Sequence, residues 1–78
     1  MSQAIVYSAK GCQDCEKVKQ YLSEQGVAFE VKDVMADVQA REEVEKLGFL
    51  GIPVTVIGDQ AVKGFQPGEL KRMVAAVQ

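Results

Sequence analysis

Histidine is missing from this sequence altogether, and with it the side chain that titrates nearest neutral pH. Any chemistry must therefore run on groups activated by their surroundings rather than by an imidazole base. A monomeric zinc site is hard to build as well, since it needs about four ligands and the chain offers two cysteines. Carboxylates or a second chain would have to complete the set. Tryptophan is absent, aromatics make up 6% of the chain, and nine Lys and Arg against eleven Asp and Glu leave a formal charge of −2. That balance offers neither stacking platforms nor a basic stripe, so nucleic acid is not an expected partner. Long hydrophobic runs are lacking too. Met1-Ser2-Gln3-Ala4 carries no positively charged side chain and the apolar stretch after it ends before Lys10, so neither a secretory signal nor a membrane span is expected. The compartment expected on these grounds is the cytoplasm, where lasting disulfides are rare and a Cys-x-x-Cys signals catalysis or metal. The pair should then rest as thiols.

At 78 residues, 47% of them hydrophobic and 26% charged, the chain has material for one core. It shows no repeat, linker or low-complexity tract, which predicts a single domain over residues 1–78 and a monomer.

Both cysteines fall in Ser8-Ala9-Lys10-Gly11-Cys12-Gln13-Asp14-Cys15-Glu16, where an apolar run gives way to helical periodicity. The first turn of a helix has N–H groups without intrahelical partners, and their partial positive charge favours an anion. Cys12 is expected at about the N-cap, where its thiolate is favoured; Cys15, one turn inside, is shielded. One sulfur attacks and the other resolves. Positions three apart on a helical surface also reach disulfide geometry, yet so short a loop adds little as a staple, which favours redox use.

The remaining elements follow from pattern. Ala4 to Ser8 is a strand apolar enough to be covered on both faces. A first helix runs from about Cys12 to Gln25, with Cys15, Val18, Tyr21 and Leu22 inward and Gly26 as its stop. Val27 to Val31 is a second strand, parallel to the first by the length of the crossover, and Lys32 to Ala36 a connection. A second helix runs from about Asp37 to Leu47, with Ala40, Val44 and Leu47 buried, Glu42 and Lys46 paired, and Arg41, Glu43 and Glu45 solvated. Val54 to Ile57 and Ala61 to Lys63 form a hairpin around Gly58-Asp59-Gln60. Pro67 opens a last helix whose inner face is Leu70, Met73, Val74 and Val77, and whose Lys71 and Arg72 face water. The order β-α-β-α-β-β-α predicts an α/β fold, a four-stranded mixed sheet with helices on both faces.

Val6-Tyr7-Ser8, Cys12-Gln13-Asp14-Cys15, Leu22 with Gly26 and Phe29, Asp33, Gly51-Ile52-Pro53-Val54-Thr55-Val56 and Gly64-Phe65-Gln66-Pro67 are the residues on which the chain resembles the glutaredoxin branch of the thioredoxin-fold family. The resemblance implies a thioredoxin-like fold and a cis bond before Pro53. It also implies that the Ile52 backbone pairs with an extended substrate segment and aligns its disulfide with Cys12. Glutathione-using members commonly carry Pro-Tyr between the cysteines and Gly-Gly followed by acidic residues later; this chain has Gln13-Asp14 and lacks the acidic pair. Gly64-Phe65-Gln66-Pro67 instead resembles the Gly-Phe-Arg-Pro turn of NrdH-type redoxins, with Gln66 replacing the arginine. That likeness implies electrons from thioredoxin reductase, delivered to protein disulfides such as that of ribonucleotide reductase. No bound cofactor is implied beyond the dithiol itself, with glutathione as the alternative donor.

Around the cysteines, Lys10 reads either as a solvated charge or as a cation beside the Cys12 thiolate or a glutathione carboxylate. Asp14 opposes the thiolate that Lys10 and the helix amides support, so a moderately lowered Cys12 pKa is expected. The corresponding potential lies nearer about −270 mV than about −120 mV. Substrate contacts are expected from Lys10, Gln13, Asp14, Ile52, Pro53, Gly64 and Phe65, although Phe65 and Tyr7 serve equally as packing. A reading from another class is a dimer in which four cysteines from two chains hold zinc or an iron–sulfur cluster.

Overall fold

The computed structural model describes residues 4–77; the leader reading at residues 1–3 lies outside them. β1 (Ala4–Ser8), α1 (Gln13–Glu24), β2 (Phe29–Asp33), α2 (Val38–Lys46), β3 (Val54–Ile57), β4 (Gln60–Lys63) and α3 (Pro67–Val77) follow in that order. The sheet runs β2-β1-β3-β4, with β1 parallel to β2 and antiparallel to β3, and β3 antiparallel to β4. This is the mixed sheet that the element order predicts.

Alternation along the central strands sorts side chains into two layers. Ala4, Val6, Ile57 and Val62 pack with Val18 and Leu22 of α1 and Leu70, Met73 and Val74 of α3. On the other face, Tyr7 and Val54 pack with Ala40 and Val44 of α2. The α1/α3 layer is the larger. It is also the one that carries Cys15, fully buried on the same helical stripe as Val18 and Leu22.

Several positions depart from expectation. β2 begins two residues later than predicted, because Val27 donates its N–H to Leu22 and closes the end of α1, and the ladder starts at Phe29 opposite Ala4. Lys32 and Asp33, expected in a connection, continue the strand; an edge strand has one free side and tolerates charge. Leu47 and Val77 are 45% and 39% exposed rather than buried, Leu47 because it caps α2 instead of continuing its stripe. Glu42 and Lys46 form no ion pair among the described residues.

The solvated row of α2 is also corrected. Glu43 is half-buried, accepting from the Tyr7 hydroxyl at 2.8 Å and the Lys32 ammonium at 3.1 Å, and Lys32 lies 5.8 Å from the Tyr7 ring centroid. Burial first, and then the hydrogen bond to Glu43, push the Tyr7 phenol up to about 12. The same phenol, followed by Lys32, holds the Glu43 carboxyl below its ordinary range. This clip ties α2 to β1 and β2.

Candidate active site

The chain leaves β1 at Ser8 and must reverse before α1. Gly11 makes the turn at φ +83°, in the left-handed region where a side chain is strained. Cys12 follows in extended backbone, φ −89° and ψ 109°, as the N-cap of α1. Its sulfur takes the place of the usual capping oxygen, accepting the Cys15 N–H at 3.1 Å.

Cys12 is half-buried and Cys15 fully buried, their Cα atoms 5.2 Å apart and their sulfurs in disulfide contact. The accessible sulfur therefore receives the Cys15 N–H at the start of the helix, and the inaccessible one is disulfide-linked behind it. Chemically, the pair can exchange two electrons with a disulfide presented to Cys12. Gln13, Asp14 and Lys10 are exposed around it, and Asp14 has Lys17 at 3.9 Å. Lys10 forms no ion pair among the described residues.

Strand register brings the other predicted positions to the same end of the sheet. Tyr7 pairs with Val54 and Val54 with Lys63, so Pro53 and Gly64 continue that row next to Ser8. The Ile52–Pro53 bond is cis, Pro53 is buried, and the Gly64 N–H donates to the Pro53 carbonyl at 2.7 Å. Gln66 closes the turn by donating to the Lys63 carbonyl at 2.6 Å. Phe65 is half-buried against the α1/α3 layer, which makes it a packing residue first.

Sequence reasoning missed a groove of about 410 Å³ beside this end, lined by Val34, Met35, Val44, Leu50, Gly51 and Ile52, with Arg41 and Glu45 as its charged walls. Met35 and Leu50 are 81% and 95% exposed. Their signal in the sequence was two large apolar residues in loops, outside either periodicity. Lys63 was missed as well. The end of its side chain lies close to Gly51: a Cβ there would sit 3.1 Å from Lys63 Cε and 3.3 Å from Nζ, so a larger residue at position 51 would push the lysine tip aside.

Among the described residues no helix is long and apolar enough to cross a membrane, and no group of three or more His, Cys, Asp or Glu side chains could hold a metal ion.

A family model described as glutaredoxin matches residues 4–62. The glutaredoxin-like protein NrdH of Lactococcus lactis is 37% identical over 68 residues, covering 87% of this chain and 94% of that protein. A solved thioredoxin-like protein superposes with a TM-score of 0.85 at 32% identity, covering 90% of this chain and 97% of the other. The NrdH-redoxin of Escherichia coli, a glutaredoxin-like protein with a thioredoxin-like activity profile, gives 0.83 at 29% identity, covering 88% and 91%.

Proposed function

The chain belongs to the glutaredoxin family, as a thiol–disulfide oxidoreductase of NrdH-redoxin type, and from that premise we propose that it reduces protein disulfides with Cys12 as the attacking sulfur and Cys15 as the resolving one. The observation that carries the assignment is the hydrogen bond from the Cys15 N–H to the Cys12 sulfur at 3.1 Å, combined with full burial of Cys15. An amide aimed at one sulfur favours its anion, and only that sulfur is accessible to a substrate.

The Cys12 thiolate attacks a substrate sulfur and a mixed disulfide forms. Cys15 then attacks Cys12, the substrate leaves as a thiol, and the pair is left oxidised. The residues that dock the substrate are the backbone of Ile52, the face of Pro53 and the turn at Gly64 and Phe65, with Lys10, Gln13 and Asp14 around the attacking sulfur. Met35 and Leu50 extend that surface for the apolar side chains of the substrate segment. One domain holds all of these, and its setting is the cytoplasm.

Thioredoxin reductase is the donor in this reading, and ribonucleotide reductase is one substrate of the class. Gln13-Asp14 between the cysteines, the missing acidic pair after Gly64, and the thioredoxin-like profile of the Escherichia coli relative all support it. Cys15→Ser is expected to trap a substrate mixed disulfide at Cys12, and Cys12→Ser to trap none; equal trapping by both would overturn the roles. In a coupled assay, thioredoxin reductase with NADPH is expected to outrun glutathione with glutathione reductase. The opposite order would remove the donor assignment and leave the cysteine roles standing.

A further inference from the structure

We propose that the Thr55 hydroxyl is the hydrogen-bond donor that keeps the buried Cys15 sulfur usable as a thiolate once the disulfide opens, a positioning role that rests on the attacker-and-resolver reading above. Ser8 and Thr55 are the only buried polar side chains among the described residues. Both lie on the sheet face that α1 and α3 cover. Ser8 follows Val6 by two residues, and Thr55 pairs with both Val6 and Val62, members of that layer. Thr55 stands two strand rows below the row of Ser8 and Pro53, the next position on the same sheet face, in the layer that α1 enters with Cys15, Val18 and Leu22. Its Oγ1 is fully enclosed and has no hydrogen-bond partner.

Two otherwise unrelated problems have a common solution here. A hydroxyl left without a partner in an apolar core is costly, and β-branched valine would fill the same space without that cost. Cys15, wholly removed from water, is a poor thiolate, because burial disfavours the charged form. The amide that could help it is directed at Cys12 instead. Charge is no remedy either: α1 brings Asp14, Glu16 and Lys17, β4 brings Lys63, and α3 brings Glu69, Lys71 and Arg72, all exposed, while β1 and β3 carry none. A neutral donor within the layer is what remains. Thr55 is unpartnered in the oxidised pair and finds its acceptor when the sulfur becomes an anion.

In the resolving step Cys15 loses its proton to solvent and Thr55 donates its O–H to the anionic sulfur. The Cys15 sulfur attacks Cys12 in the mixed disulfide, so the Cys12–Cys15 bond forms as the bond from Cys12 to the substrate sulfur breaks. The electron pair leaves on the substrate sulfur, which takes a proton from water. Thr55 keeps its own proton throughout.

The test mixes the reduced full-length protein with dithiobis(nitrobenzoate) and follows two thiolate releases: the first reports attack by Cys12, the second resolution by Cys15. Thr55→Val is expected to leave the first release unchanged, slow the second about tenfold at neutral pH and move its pH midpoint upward, as loss of one hydrogen bond to a charged group implies. Thr55→Ser, which restores the hydroxyl, should return both the rate and the midpoint towards the parent. A second release in Thr55→Val with the parent's rate and midpoint overturns the proposal, as does a Thr55→Ser variant as slow as Thr55→Val, because shape alone would then be at work. Cys15→Ser separates the layers of inference: it should keep the first release and lose the second. If it loses the first, the cysteine roles fall and the Thr55 role falls with them.

Discussion

Thr55→Val should make the oxidised protein more stable, which is unusual for a substitution at a fully buried position. The hydroxyl of Thr55 is enclosed and unpartnered, so the folded state carries the desolvation cost of a polar group with nothing returned for it. That cost is about 1–3 kcal/mol, and valine replaces the hydroxyl by a methyl of similar volume in a layer formed by Val6, Val62, Ile57 and Leu70. For a domain of this size each 1 kcal/mol moves the melting temperature by about 4–8 °C, so even the lower figure is measurable. The assay is thermal unfolding of the oxidised protein followed by circular dichroism. Thr55→Ser is the control that keeps the hydroxyl and removes a methyl, and it should be destabilised. A melting temperature that is unchanged or lowered in Thr55→Val would refute the reasoning, because it would mean that the hydroxyl is satisfied in the oxidised fold. In the reduced protein, at a pH where Cys15 is ionised, the gain should shrink, since the hydroxyl then has an acceptor to lose.

Two further outcomes follow from the groove and the clip. Leu50→Asp, at a side chain 95% exposed beside Ile52, should leave stability nearly unchanged and raise KM for a protein disulfide while sparing reaction with a small aromatic disulfide; equal losses on both would remove the groove from docking. The Glu43 carboxyl, held below its ordinary 4.5 by the Tyr7 hydroxyl and then by Lys32, contributes stability that is complete above that value and lost as the pH falls through the lower folded-state value. Tyr7 has the opposite sign: a phenol raised from 10.0 to about 12 contributes fully below 10 and loses that contribution as the pH rises between the two values. Glu43→Gln should flatten the acid limb of a stability–pH curve, and an acid limb identical to the parent's would refute the clip.

The parts of the fold legible in the sequence are those where one physical signal dominates. The N-terminal half of α1 was readable because Gly11 and the Cys12 cap stand between a continuous apolar run and a strict helical stripe. The hairpin was readable because Gly58-Asp59 separates two β-branched stretches, although β4 takes in Gln60 as well. The convergence of Cys12, Pro53 and Gly64 was readable through the family resemblance rather than through spacing. Pattern alone left Pro53 as a loop residue before a strand; it takes the register of β1, β3 and β4 to put the three turns at one end.

Illegibility had a different source at each place. The shift of β2 came from a single carbonyl, Leu22, that claims the Val27 N–H and so delays the ladder, and no periodicity contains that competition. Leu47 has the helical spacing of a core residue but lies at a cap, where the chain turns away before the stripe can be used. Glu43 looked solvated because its neighbours Glu42 and Glu45 are; it differs in meeting Tyr7 on the sheet face that α2 covers, a partner 36 residues away in the chain. Thr55 is the most instructive case. In a run of Val-Thr-Val-Ile it satisfies every local preference for a strand, so sequence reading has no reason to stop at it. Only its full burial in the layer that Cys15 also enters, with its hydroxyl unpartnered in the oxidised state, separates a β-branched packing residue from one whose hydroxyl has a use in another redox state. A polar atom that the fold leaves unsatisfied in one state is evidence about the state in which it is satisfied, and here the disulfide is the group that changes between the two.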